Sequence, residues 1–385
     1  MQLPIYLDNH ATTPCDPQVM EVMQPFFTKF FGNPSSRHHV FGAQAGEAIE
    51  VAREQVASLI VAAPKEIVFT GCATESNNLA IRGLIEASGK SHRHVITAAT
   101  EHHSVLESCK HLERLGHQMT VLPVDRYGLV DLQKLQDAFR PETILVSIMM
   151  ANNEIGTIAP IAEMAAITHE RGALLHSDLA QATGKIPIDV KKLGVDLASI
   201  AAHKIYAPKG VGALYIRSSV PSIRLSAQML GGGQERQMRS GTYNVPGIVG
   251  LGKAAQLCQE LMKDEATRIE RLRNLLFNSI NEALPEVVLN GHPTQRLPGN
   301  LNISLPGIES EKILTAFRKE MAISSGAACT SASSEPSHVL RAIGLQKELI
   351  HCSLRFGIGR FNTEEEIIYA AKRLNEERQR IWKQN

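Results

Sequence analysis

Leu174-Leu-His-Ser-Asp-Leu-Ala-Gln181 and Ser199-Ile-Ala-Ala-His-Lys-Ile-Tyr-Ala-Pro-Lys209 are the stretches from which the fold is read. Each is an apolar, strand-like run that ends on a reactive side chain. The first stops at an acid, Asp178, and the amide of Gln181 follows it. The second places Lys204 just past the strand, with His203 before it. Upstream, Glu66-Ile-Val-Phe-Thr-Gly-Cys-Ala-Thr-Glu-Ser76 runs from a strand through glycine into a helix whose first residues carry hydroxyls. Such a helix start offers unpaired backbone N–H groups and the positive end of the dipole to a phosphate.

The three stretches together meet the requirements of one cofactor. An acid at the carboxyl end of a buried strand can keep a heterocyclic nitrogen protonated, which makes pyridoxal phosphate (PLP) an electron sink. A lysine in the position of Lys204 can condense with the cofactor's aldehyde. Strand, phosphate cup, acid and lysine, in that order, predict a PLP enzyme.

The surrounding sequence supplies the scaffold. Strands are predicted at residues 66–70, 94–98, 118–123, 143–148, 173–178, 197–201 and 211–216. Between several of them lie helix-period stretches such as Ala45, Ala48, Ile49, Ala52, Val56 and Leu59. This alternation predicts an α/β fold with a mainly parallel, seven-stranded sheet, whose ligands gather at the carboxyl ends of the strands. Beyond about Leu261 the chain turns to longer, more charged helices and short strands at residues 301–304 and 354–356. Thr363-Glu-Glu-Glu366 reads as a capping box opening a last helix. The expected organisation is a large cofactor-binding domain over residues 16–260. A small α+β domain would comprise residues 1–15 and 261–385 and carry a small-residue loop at about 324–336, centred on Cys329.

Composition limits the alternatives. The 385 residues are 43% hydrophobic, enough for sizeable cores. Forty basic against thirty-nine acidic residues leave a formal charge of +1, so no nucleic acid, membrane or polyanion partner is indicated. No apolar run reaches the about 18 residues of a bilayer span, and the N-terminal stretch has no signal-peptide pattern, so cytoplasmic residence is expected. The six cysteines show no CxxC and no regular pairing, and the fifteen histidines have no acid at ligand spacing; no metal site is expected. Gly231-Gly-Gly233 precedes no clear helix and reads as a turn.

Eight motifs also carry a resemblance. Leu7-Asp-Asn-His-Ala-Thr-Thr-Pro14, Phe31-Gly-Asn-Pro-Ser-Ser36, Ala73-Thr-Glu-Ser76, Thr100-Glu-His102, Asn152-Asn-Glu-Ile-Gly156, His203-Lys204, Arg239-Ser-Gly-Thr242 and the Cys329 loop resemble, in this order, the cysteine desulfurases of the nitrogen-fixation and iron–sulfur-cluster type. The likeness runs from residue 5 to about residue 375. It implies the aspartate-aminotransferase-like type I fold of PLP-dependent enzymes, usually a homodimer with sites at the subunit interface.

The resemblance also implies roles. Lys204 would bind the cofactor's aldehyde, Asp178 the pyridinium nitrogen and Gln181 the phenolic oxygen. His102 would stack on the ring and handle protons. Ala73, Thr74, His203 and, from the other subunit, Thr242 would surround the phosphate. Asn153 lies against the cofactor and, with Arg355, would grip the substrate carboxylate. L-Cysteine would be the substrate, Cys329 the thiolate that takes its sulfur as a persulfide, and alanine the product. The sulfur would go to an iron–sulfur scaffold or other acceptor proteins. Ala328 before Cys329 and the length of the loop point to the class that serves several acceptors.

Three positions depart from the family pattern. Ala201 stands where a serine or threonine usually binds the phosphate, Cys72 interrupts the small-residue turn before Ala73, and Leu179 replaces an alanine. All three are expected to crowd the cofactor side of the sheet. Competing readings are a selenocysteine lyase or other PLP β-elimination enzyme, and a weakened scaffold that docks cluster-assembly partners.

Overall fold

The structure is a computed structural model that describes residues 2–218, 222–325 and 336–382. Cys329 and most of its loop lie outside the described residues. The strands are β1 (Ile5–Tyr6), β2 (Ile67–Thr70), β3 (His94–Ala98), β4 (Gln118–Leu122), β5 (Thr143–Ser147) and β6 (Leu174–Asp178). They continue with β7 (Leu197–Ala201), β8 (Gly212–Ile216), β9 (Val288–Leu289), β10 (Asn300–Ser304), β11 (Met321–Ala322) and β12 (Ser353–Gly357).

Seven of them form one sheet in the order β2-β8-β7-β6-β5-β3-β4. The β3–β7 pairings are parallel, and β8 runs antiparallel to both of its neighbours. All seven expected strands are therefore in the sheet, most one residue shorter at an end. Glu66 is not in a strand: it closes a 3₁₀ turn over Pro64–Glu66, and its carboxylate accepts from Ala63 N at 2.8 Å and Ser218 N at 2.7 Å.

The pleat decides what covers each face. Val68, Val95, Leu145, Leu197 and Leu214 point to one side, where they pack on the helices Ala73–Ala87 and His103–Arg114. Their sequence neighbours Phe69, Ile96, Val146, Ala198 and Tyr215 point to the other, against the helices Val40–Leu59 and Ile161–Glu170. Both faces of the central strands are buried, so runs such as Ile67-Val-Phe69 and Thr143-Ile-Leu-Val146 show no apolar–polar alternation, whereas the edge strand β4 is partly exposed.

A separate apolar cluster gathers β1, β10 and β12 with the helices Ser310–Phe317 and Glu364–Trp382. The last helix opens with the expected capping box: Glu366 N donates to Thr363 Oγ1 at 3.3 Å, and Thr363 N to Glu366 Oε2 at 3.1 Å. One helix, Val245–Ala283, connects the two clusters. Val245 to Cys258 belong to the sheet's core, and Leu272, Leu276 and Ile280 to the smaller cluster. At 39 residues it is about 58 Å long and runs straight through residue 261, where the sequence changes character.

Candidate active site

The carboxyl ends of the parallel strands open on a cavity of about 210 Å³. Ala73, Thr74, His102, Asn153, Asp178, Gln181, His203, Lys204 and Arg355 all line it. Residues more than a hundred positions apart meet there because β2, β6 and β7 end at the same edge of the sheet. Thr242 is exposed and lines no part of this cavity within the chain.

Asp178 is the last residue of β6 and is buried at the cavity wall. Its Oδ1 accepts from Ala180 N at 2.8 Å and its Oδ2 from Asn77 Nδ2 at 2.8 Å, which fixes the carboxylate's orientation. Lys204 closes the 3₁₀ turn Ala202–Lys204 that follows β7. Its amine donates to the carbonyls of His10 and Ala11, the latter at 2.8 Å. That turn is pinned from the N-terminal segment: Thr13 Oγ1 donates to His203 O at 3.0 Å and accepts from Tyr206 N at 2.8 Å.

The helix Ala73–Ala87 has Cys72 as its N-cap and no side-chain cap, which leaves first-turn N–H groups available, and Cys72, Ala73 and Thr74 line the cavity at this helix start. Gly71 N is held by Glu75 Oε2 at 2.7 Å, and Glu75 in turn pairs with Arg239 at 2.8 Å. Beside this helix start stands His203, whose Nδ1 lies 3.1 Å from Thr12 Oγ1. Burial, reinforced by Lys204, pushes its imidazole down to about 4, so it is a neutral hydrogen-bonding group at neutral pH.

His102 is the N-cap of the helix His103–Arg114, and its Nδ1 accepts from Ser104 N at 3.1 Å. Ser104 Oγ lies 2.8 Å from the same nitrogen. Desolvation holds this imidazole below its ordinary proton affinity, with nearby Asp178 acting in the opposite sense. A neutral ring that accepts at Nδ1 carries its proton on Nε2.

Arg355, on β12, is buried and only 1% exposed. Its Nη2 binds Asp8 Oδ1 at 2.8 Å and its Nη1 the carbonyl of Asn153 at 2.9 Å, while Nε is buried without a partner among the described residues. Two residues expected to crowd the cofactor, Ala201 and Cys72, do line the cavity. Leu179 does not: its side chain is fully buried in the core under the sheet, because it follows Asp178 and points to the opposite face.

Several residues here had no role assigned from the sequence. His10, Asn77, Ser104 and Lys185 all bond to the residues above. His10 and Asn77 sit in or beside quoted motifs, and that adjacency was the only available signal. Ser104 and Lys185 gave none, since their partners come from other elements. Among the described residues no three histidines, cysteines or acids converge as a metal site, and Cys15, Cys72, Cys109, Cys258 and Cys352 are free thiols.

The donor set fits one group. A fixed carboxylate, a half-buried amine and an uncapped helix N-terminus around a single cavity suit a ring nitrogen, an aldehyde and a phosphate, and together with the sheet they define a PLP-dependent enzyme of the aspartate-aminotransferase-like fold.

The comparisons agree. The class-V aminotransferase family description matches residues 5–369. The cysteine desulfurase IscS of Ehrlichia chaffeensis is 54% identical over 372 residues, covering 97% of this chain and 90% of that protein. A NifS-like protein of known structure superposes with a TM-score of 0.90 at 37% identity, covering 97% of this chain and 99% of that one. SspA, solved in complex with cysteine, superposes with a TM-score of 0.79 at 33% identity, covering 93% of this chain and all of the other. The chain belongs to the class-V aminotransferases and, within them, to the cysteine desulfurases, whose cofactor is PLP.

Proposed function

We propose that this chain converts L-cysteine to L-alanine and keeps the sulfur as a persulfide on Cys329, for transfer to an iron–sulfur scaffold or other acceptor proteins. The observation that carries the reading is the convergence of Asp178, Lys204, Arg355 and the helix start at Ala73–Thr74 on one cavity.

When bound, PLP supplies an aldehyde that amines can join and a protonated ring that accepts the electron pair left at the substrate's Cα. Asp178 would keep the proton on the ring nitrogen. Ala73 and Thr74 would offer backbone N–H groups to the phosphate, with His203 in the same cavity wall. Arg355 and Asn153 hold the substrate's carboxylate, and the guanidinium's existing bond to Asp8 keeps it in place to do so. Lys204, whose amine lines the cavity, would take the proton from the substrate Cα and return one. His102 donates and accepts a proton at Nε2.

Cys329 reacts as a thiolate, because the neutral thiol is a poor nucleophile. Its sulfur bonds to the substrate sulfur as the substrate's Cβ–S bond breaks. The electron pair of that bond stays with the three-carbon fragment, which gains a proton and leaves as alanine. One thiol and one cysteine thus become one persulfide and one alanine.

The reading includes a homodimer in which Thr242 of a second copy completes the phosphate site, and residence in the cytoplasm. It also retains the division into a unit of residues 16–260 and a unit of residues 1–15 with 261–385. Incubating the PLP-loaded protein with L-cysteine tests the reaction. Alanine formed by the wild type and lost in Cys329→Ala supports it, and turnover that survives Cys329→Ala would assign a β-elimination instead.

A further inference from the structure

Lys185 follows Gln181 by one tight turn. Gly184 lets the chain pass here: its φ is +69°, and a Cβ would lie 2.7 Å from Cys258 Sγ and 2.9 Å from Ile205 Cγ2. The turn brings Lys185 Nζ to 2.8 Å from Gln181 Oε1. The amine carries N–H donors whether charged or neutral, and it donates to the amide oxygen. His10 Nδ1 lies 3.0 Å from the same oxygen and must donate to it as well. Gln181 Nε2 is thereby turned the other way, and one of its hydrogens goes to His10 O at 2.8 Å. The same carbonyl accepts from Lys204.

Two donors from separate elements therefore converge on one amide oxygen in the wall of the cofactor cavity. Stability alone is a poor reason for the arrangement. Among the described residues no carboxylate pairs with Lys185, and burial, with Lys204 as the next cause, pushes its amine down to about 7. An apolar side chain of similar length would fill the space without that penalty.

We propose that Lys185 is a positioning residue: with His10 it locks the Gln181 amide so that an N–H, and not the carbonyl, faces the cofactor's phenolic oxygen. This rests on the reading of Gln181 as the partner of that oxygen. Either orientation of a free amide fits the same space, and the wrong one would set a carbonyl dipole against a phenolate. Lys185 and His10 remove that choice before the cofactor arrives.

The test is cofactor binding and spectrum, not turnover. Apoprotein of the wild type, Lys185→Met, Lys185→Gln and His10→Phe is titrated with PLP, and the visible absorption bands are recorded. Lys185→Met loses a donor and should bind PLP about tenfold more weakly, with its bands redistributed. Lys185→Gln keeps a donor for Oε1 and should stay within about threefold of the wild type. Wild-type affinity and bands in Lys185→Met overturn the proposal, and so does equal damage in Lys185→Gln and Lys185→Met. Should Lys185→Met fail to fold, His10→Phe decides, since it removes the second donor and wild-type affinity there would be equally fatal. A wild type that takes up no PLP would instead overturn the underlying cofactor reading.

Discussion

Asn77 Nδ2 stands 2.8 Å from Asp178 Oδ2 and 2.8 Å from Ser104 Oγ, so one amide ties the acid at the end of β6 to the serine that supports His102. With its oxygen lone pair occupied by Asn77, the Ser104 hydroxyl has its proton free for His102 Nδ1 at 2.8 Å. That bond favours the neutral imidazole. Ser104→Ala should therefore raise the proton affinity of His102. The acid limb of the kcat/KM profile should move up by about 0.5–1 pH unit, the worth of one neutral hydrogen bond. A limb that stays in place would disconnect Ser104 from His102.

Ala201 ends β7 in the cavity wall and offers no donor. Ala201→Ser should tighten PLP binding by about 10- to 100-fold, since a hydrogen bond to a charged group contributes about 1.5–3 kcal/mol. Titration of the apoprotein measures it, and unchanged affinity would show the hydroxyl to be immaterial.

Arg360 joins distant parts of the chain. Its Nη1 binds Asp16 Oδ2 at 2.8 Å and its Nε binds Glu265 Oε1 at 2.6 Å, and all three side chains are largely buried. Arg360→Met leaves two shielded carboxylates without their cation. The expected loss is about 3–5 kcal/mol in urea unfolding. A loss below about 1 kcal/mol would mean that water reaches the carboxylates.

His176 lies between Ser147 Oγ at 2.8 Å and Ser199 Oγ at 3.0 Å, and burial pushes it down to about 4 from the ordinary 6.5. As the pH falls, the unfolded chain takes up this proton near 6.5 and the folded chain only near 4. Stability is thus lost through that window and levels off below it. Tm should decline from pH 6.5 to 4, with a shallower slope in His176→Gln. Equal slopes would assign the acid sensitivity to other groups.

The sheet was legible because both of its faces are covered. Runs such as Ile67-Val-Phe69 are apolar and are followed by polar residues and glycine, so the strand positions follow from sequence with errors confined to end residues, whereas the order of the strands and the antiparallel direction of β8 do not. The motifs identified the cavity because each ends a strand at the same edge. What stayed hidden was tertiary. The change of composition near Leu261 carries no sign that one helix, Val245–Ala283, runs through it, with its first half packed in the sheet's core and its second half in the smaller cluster. Leu179 departs from the family pattern beside Asp178, yet its side chain packs in the core and not in the cavity, which the sequence pattern does not reveal. The bonds from Asn77, Ser104 and Lys185 join elements that no local pattern connects.

The most direct measurement is mass spectrometry of the PLP-loaded protein after a single turnover with L-cysteine, with alanine assayed in the same sample. The account predicts one additional sulfur on the peptide carrying Cys329, in step with the alanine formed. Alanine without sulfur on that peptide would contradict it.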